Sequence, residues 1–369
     1  MRKAALSITA LVWANLMQAA TPMLSQADLV KGGEGGYLAY RAPSLVTSSK
    51  RTVIAIFEGR KNSLSDSGHI DTLAMRSFDS GKTWSSFQVI AENGADKIGN
   101  PCTLIDRQTH TIWVILLAYL ARLSQKQIIA GEGSIHVWTV KSVDDGAHWS
   151  APFEITNLIQ GHEERQTWFS TGPGIGVQLR SGRLVVPVYY RWKGSNTSYA
   201  AVIYSDDHGG HWILGKPAGE LTNEGQVAEL ADGSLVYNMR SYAGRNRRAV
   251  SRSTDSGQTW TSPELDNALI EPVCQGAFVR FTDKGGGHRD WLLFSNPADT
   301  KRQNMAVRLS RDGGRSWSDA RPLYEGPAAY SSLAVLPDGK IGCLYERGDR
   351  GPYEKLTFAR FDLGWLIGR

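Results

Sequence analysis

Cysteine is scarce in this sequence: Cys102, Cys274 and Cys343 are the only three among 369 residues. An odd, low count argues against a disulfide framework, and no Cys-x-x-Cys pair offers the spacing of a structural zinc site. The eight histidines are scattered, which removes the other common zinc ligand set. Long charge runs and low-complexity tracts are also missing, so the chain does not read as disordered. The net charge of +5 is modest and dispersed, and its densest basic stretch, Arg245 to Arg252, reads as a solvated surface strip. A nucleic-acid partner is therefore not expected, whereas a mild positive bias suits a small anionic ligand. Beyond residue 20 no segment is apolar enough to cross a bilayer.

The N-terminus is different in kind. Arg2-Lys3 forms a short basic region, and Ala4 to Ala20 is mostly apolar and ends in small residues. This pattern predicts an export signal within a leader of residues 1–26, and hence a secreted or periplasmic protein, or a lysosomal one in a eukaryote. The alternative is an N-terminal anchor that stays in the membrane. Without Arg2 and Lys3 the net charge is +3. Residues 27–369 contain no linker and are expected to form a single domain and a monomer. Twelve tryptophans and 39 glycines favour a turn-rich β fold over a helical one.

One pattern recurs five times: Ser-x-Asp-x-Gly-x-x-Trp. It starts at Ser77, Ser142, Ser205, Ser253 and Ser310 and ends at Trp84, Trp149, Trp212, Trp260 and Trp317. The starts lie 65, 63, 48 and 57 residues apart, a period that signals repetition of one supersecondary unit. Within each box the Ser and Asp side chains can bond backbone N–H groups and close a tight turn. The Gly tolerates positive φ, and the Trp is a large apolar anchor. Runs such as Thr72-Leu73-Ala74-Met75 and Ala201-Val202-Ile203-Tyr204 lead into the boxes and read as strands, so each box caps a hairpin. The expected fold is all-β: a six-bladed β-propeller of four-stranded antiparallel blades. Such a turn is structural and does not by itself indicate an enzyme.

Other residues stand apart from the boxes. Arg41 lies in Tyr40-Arg41-Ala42-Pro43, Arg240 ends Leu235-Val236-Tyr237-Asn238-Met239-Arg240, and Arg302 precedes Gln303-Asn304. An isolated Arg at a strand end is usually a surface residue. Three from separate blades could instead converge on one carboxylate, with the bidentate geometry that Lys lacks. Asp66, in Ser63-Leu64-Ser65-Asp66-Ser67-Gly68, is expected in a loop between the first two strands of a blade, where a turn-forming Asp is the plainer reading. Glu224 and Tyr330 each precede an apolar strand, and alone they read as a surface Glu and a core Tyr.

Taken together these contexts resemble the sialidase (neuraminidase) family, from about Tyr40 to Glu346. Tyr40-Arg41-Ala42-Pro43 is similar to the family's Arg-Ile-Pro motif, with Ala42 in place of Ile. Asp66 stands at the spacing of the family's acid/base Asp, although Met75 replaces one of two basic residues before the first box. The resemblance implies an exo-sialidase that removes terminal sialic acid from glycoproteins, glycolipids and oligosaccharides with retention. It implies Tyr330 as nucleophile, Glu224 as its activating base and Asp66 as acid/base. Arg41, Arg240 and Arg302 would grip the substrate carboxylate, with Glu346 bracing the first. Arg60, Asn100, Tyr189 and Gln275 match segments that supply further ligand contacts. No metal or organic cofactor is implied. The same residues would serve a trans-sialidase or an intramolecular one, and box turns also occur in non-catalytic binding propellers.

Overall fold

The computed structural model describes residues 23–282 and 290–368. The leader expected from sequence lies mostly outside the described residues. Its last part does not: Leu24, Ser25 and Gln26 pair with Phe361, Arg360 and Ala359.

Apolar segments between the turn signals form strands, and the described strands pair into six successive antiparallel runs. The first comprises Ala39–Thr47, Val53–Arg60, Ile70–Ser77 and Gln88–Ala91. The second comprises Lys97–Asp106, Thr111–Tyr119, His136–Ser142 and Phe153–Glu154. The third opens on a broken strand, Trp168–Thr171 and Val177–Gln178, followed by Leu184–Arg191, Ser198–Ser205 and Trp212–Leu214. The fourth comprises Thr222–Glu229, Leu235–Ser241, Arg247–Ser253 and Glu264–Ile270. The fifth comprises Ala277–Arg280, Leu292–Pro297, Gln303–Ser310 and the first half of the long strand Arg321–Val335. The second half of that strand opens the sixth run, which continues through Ile341–Arg347 and Lys355–Phe361. Its outer strand is Leu24–Lys31, supplied from the other end of the chain.

Burial follows strand position. Thr111–Tyr119 is buried at every residue because sheets lie against both its faces, and its sequence is accordingly a nearly continuous apolar run. The outer strand Glu264–Ile270 is largely exposed and carries Glu264, Asp266 and Asn267. Each main hydrophobic cluster sits between two neighbouring runs. Ile54, Ile56 and Ala74 of the first run meet Ile112, Val114 and Val140 of the second. Around the molecule the same holds for the second and third, third and fourth, fourth and fifth, and fifth and sixth runs. Phe57 and Leu73 pack on Leu344 and Phe358, joining the first run to the sixth and closing the circle.

The boxes reinforce this circle. In the first, Ser77 Oγ accepts the Gly81 N–H at 2.8 Å, and Asp79 accepts the N–H and hydroxyl of Thr83 at 2.9 and 2.7 Å. Each box joins the third and fourth strands of its own run and touches the preceding run. Trp84 packs edge-on against Phe358, with ring centres 5.1 Å apart. Gln88 of the first run donates to Gly146 of the second box, and Arg183 of the third run donates to Ser256 of the fourth. Arg252 of the fourth run donates to Gly313 of the fifth box. Gly81 cannot be replaced freely: its φ is +83°, and a Cβ there would stand 2.3 Å from the Phe358 ring. The sixth run has no box because its third and fourth strands come from opposite ends of the chain, so no hairpin joins them.

Two sequence expectations change. Asp66 lies between the second and third strands of its run, because Ala39–Thr47 precedes the strand that ends at Arg60. The basic stretch 245–252 is not wholly a surface strip. Arg248 is fully buried, 2.9 Å from Glu271, and donates to Asn238 and to the Cys274 carbonyl. The three cysteines are buried free thiols.

Candidate active site

The first strands of neighbouring runs pack against one another at the centre, and their pairing registers are irregular near their starting ends. Register shifts fall between Arg41 and Ser44, Gly99 and Cys102, Thr222 and Gly225, and Ala328 and Ser331. A bulge breaks strand alternation and re-aims a side chain. These four bulges carry Arg41, Asn100, Glu224 and Tyr330. Inside two of these bulges Ala42 and Asn100 adopt positive φ, +52° and +53°.

The bulged residues line a cavity of about 280 Å³, together with Asp66, Arg60, Lys97, Tyr119, Trp168, Tyr189, Arg191, Arg240 and Tyr242. The Tyr330 hydroxyl lies 2.7 and 2.9 Å from the two carboxylate oxygens of Glu224. Arg240 Nη1 donates to Glu224 at 2.8 Å and reaches the Tyr330 oxygen at 3.4 Å. The guanidinium of Arg41 lies 5.1 Å from the Tyr330 ring centre, and that of Arg302 lies 5.7 Å from it. The three arginines predicted to converge therefore meet around one phenol. Burial and the neighbouring Glu224 carboxylate push that phenol well above its ordinary pKa, against the opposing pull of Arg240 and Arg302. Glu224 is placed to accept its proton.

Each arginine is held from behind. Glu346, fully buried, receives Arg41 Nε and Nη2 at 3.1 and 3.2 Å. The same carboxylate accepts the backbone N–H groups of Ala42 at 2.8 Å and Tyr330 at 3.0 Å. Arg302 Nη1 donates to the Tyr353 hydroxyl at 2.5 Å, and the Tyr353 ring stacks 3.9 Å from the Arg41 guanidinium. A larger groove of about 820 Å³ is lined by His136, Glu154, His162, Glu164, Arg165 and Lys193.

Asp66 occupies the rim, its side chain 74% exposed. Arg60 Nη2 lies 2.8 Å from it and Arg41 Nη1 lies 3.6 Å away. Desolvation raises the Asp66 carboxyl, but the cations of Arg60, Lys97 and Arg41 outweigh it and hold the group well below the usual carboxylate range. Arg60 itself is 2% exposed and fully engaged with Glu58, Asp66 and the Leu64 and Ser65 carbonyls. It braces the loop that carries Asp66 as well as lining the cavity. Asn100 donates to Ser170 and accepts from Lys97, and Tyr189 lines the wall. Gln275 departs from expectation. It is 1% exposed, and its amide is consumed by the Pro173 and Ser331 carbonyls and the Ser331 N–H, so it supports the backbone beside Tyr330. Among the described residues no group of three His, Cys, Asp or Glu side chains is arranged to hold a metal ion.

A family model of the BNR repeat-like domain matches residues 52–343. A sialidase of Bacteroides fragilis is 33% identical over 337 residues, which cover 85% of this chain and 61% of that protein. Sialidase-2 of Cricetulus griseus is 31% identical over 377 residues, covering 94% of this chain and 97% of that protein. The chain belongs to the sialidase family. Among solved structures, the Hadza microbial sialidase Hz136 superimposes with a TM-score of 0.83 at 30% identity, over 92% of this chain and 68% of that one. This sialidase-family chain thus spans about 61% of the length of its Bacteroides relative.

Several residues at the site of this sialidase-family member escape a reading by motif: Lys97, Tyr119 and Arg191 line the pocket, and Tyr353 supports Arg41 and Arg302 beside it. One signal was available, since Pro43 and Pro101 fall inside the register shifts, and proline within a strand marks a bulge or an edge. Glu58 is fully buried between Arg60 at 2.7 Å and Lys97 at 3.2 Å. Burial raises its carboxyl, but Lys97 and Arg60 prevail and bring it down to about 2. A depressed folded-state pKa contributes stability above the unfolded value near 4.5, and loses it as pH falls through about 2. Urea unfolding at stepped pH is expected to show stability falling across that window. Glu58→Gln should flatten this part of the profile, and an unchanged slope would remove Glu58 from the acid response.

Proposed function

We propose that this protein is an exo-sialidase that hydrolyses terminal α-ketosidically linked sialic acid from glycoconjugates with retention, through a covalent sialyl-tyrosine intermediate. The observation that carries the reading is the Tyr330 hydroxyl held by both oxygens of Glu224 amid three guanidinium groups. The related proteins named sialidase support the same reaction class.

Sialic acid bears a carboxylate on its anomeric carbon. Among the described residues, Arg240 Nη2 and Arg302 Nη2 have no protein hydrogen-bond partner, while Arg41 Nη1 has only its 3.6 Å contact with Asp66. These nitrogens are available to bind that carboxylate by charge-assisted bonds and to orient the ring. A neutral phenol approaches the anionic substrate without the repulsion a carboxylate nucleophile would meet, so sialidases depart from the two-carboxylate pattern of most glycosidases. Glu224 takes the phenolic proton as the bond to the anomeric carbon forms. Asp66 protonates the departing glycosidic oxygen, then activates water that releases the sugar. Substrate charge on Arg41 offsets one of the cations that keep Asp66 ionised, which favours the protonated form when it is needed.

The six runs are read as the four-stranded blades of a six-bladed propeller in one domain, which the continuous circle of packing supports. The basic pair Arg2-Lys3 before Ala4 to Ala20 supports export. The reaction is tested by incubating the protein with a fluorogenic sialoside and following the products by NMR. The expected first product is free α-sialic acid. Appearance of the β-anomer first would overturn retention, an anhydro sugar or a sialylated acceptor would replace hydrolysis by transfer, and absence of release would leave a binding propeller.

A further inference from the structure

The loop that carries Asp66 spans residues 61–69, between the strands Val53–Arg60 and Ile70–Ser77. Its residues are polar and small, Leu64 and Asp66 face solvent, and only the Lys61 N–H bond to the His69 carbonyl closes it as a ladder. Locally it is held by exposed serine turns, in which Ser63 Oγ accepts the Ser65 N–H at 3.2 Å and Ser65 Oγ accepts the Ser67 N–H at 3.1 Å. It is also tied at three successive carbonyls. Arg60 Nη1 donates to Leu64 at 2.6 Å and to Ser65 at 2.9 Å. The Asp66 carbonyl takes two donors, Lys97 Nζ at 3.1 Å and the Tyr119 hydroxyl at 2.6 Å. The next residue, Ser67, donates from its hydroxyl to Leu123 at 2.8 Å.

Lys97 and Tyr119 belong to the neighbouring run. They face each other across its first two strands, at the end where the pocket opens. Lys97 is 2% exposed, and its charge is balanced by Glu58 at 3.2 Å. A buried ammonium is a costly way to fill space, and an apolar side chain of similar volume often serves stability as well. What the lysine adds is a directed donor. Gly99 keeps the arrangement possible, because a Cβ there would stand 2.5 Å from Glu58 Oε1.

We propose that Lys97 and Tyr119 are positioning residues for proton donation: their two donors on one carbonyl fix the backbone of Asp66 and so hold its carboxyl at the glycosidic oxygen. The inference rests on the reading of Asp66 as acid/base. It concerns how a loop residue reaches the precision that catalysis demands, since a displacement of about 1 Å can cost on the order of 10²-fold in rate.

The leaving group separates this role from a structural one. A sugar alkoxide leaves poorly and needs protonation, whereas an acidic phenol leaves without it. The test measures kcat and KM of the full chain and its variants on sialyllactose and on 4-nitrophenyl sialoside. Tyr119→Phe keeps the buried ring and deletes one oxygen, so it retains the packing. It is expected to lower kcat/KM on sialyllactose by about tenfold or more, mainly through kcat, with a several-fold smaller loss on the aryl substrate. Lys97→Met removes the second donor but also one of the cations that keep Asp66 ionised, so the Tyr119→Phe split decides the clamp. Equal losses on both substrates, or no loss on either, would overturn the clamp while leaving the functional reading in place. A wild-type protein that releases sialic acid from neither substrate would overturn both.

Discussion

Tyr330→Phe is expected to lower kcat for sialic acid release by on the order of 10³-fold or more, because the substitution deletes the oxygen proposed to attack the anomeric carbon. Glu224 would remain, still bonded to Arg240 at 2.8 Å, but it would be a carboxylate facing an anionic sugar. The fold should tolerate the change. Tyr330 is partly buried at the pocket floor, its ring stays in contact with the Arg41 and Arg302 guanidinium groups, and only hydroxyl hydrogen bonds are lost. The unfolding free energy should therefore shift by no more than about 1–2 kcal/mol. Steady-state turnover of a fluorogenic sialoside, paired with a urea unfolding curve, checks both halves. Activity within tenfold of wild type in a folded variant would remove Tyr330 from the chemistry.

Glu346→Ala is expected to have the largest effect on stability. Its carboxylate is fully buried and serves three partners at once: the Arg41 guanidinium and the backbone N–H groups of Ala42 and Tyr330. Removing it leaves Arg41, 6% exposed, without its main counter-charge, and two buried donors without acceptors. Loss of one partner from a buried pair costs about 3–5 kcal/mol. The bulges at Arg41 and Tyr330 are tied together by this one side chain, so binding of a sialic-acid inhibitor should fall with stability. Glu346→Gln keeps an acceptor for the backbone and should lie between the two. A loss below about 1 kcal/mol in Glu346→Ala would show that Arg41 finds other support.

The sequence carried much of this because the repeat is local. Ser77, Asp79 and Gly81 close their turn within five residues, and each later box does the same, so a box can be recognised without knowing what it touches. What Trp84 packs against could not be read that way, since Phe358 lies at the other end of the chain. Chemistry-bearing residues were legible by context: Arg41, Asp66, Glu224, Arg240, Arg302, Tyr330 and Glu346 all fall in or beside the pocket. By motif Gln275 and Arg60 match ligand contacts, whereas the structure commits the amide of one and the guanidinium of the other to neighbouring protein groups. Lys97 and Tyr119 were missed because their partner is a backbone carbonyl, which leaves no mark on residue type.

From the order of its residues alone, this chain determines its strands, its turn boxes and the identity of the groups able to grip an anion and attack it. These depend on side-chain chemistry and on contacts a few residues apart. The tertiary structure decided where the bulges fall, which carboxylate faces which cation, and that the first and last runs share one hydrophobic cluster. Those outcomes depend on pairing between segments far apart in the chain, as between Arg41 and Glu346, 305 residues apart, and a period-two alternation of side chains carries no information about them.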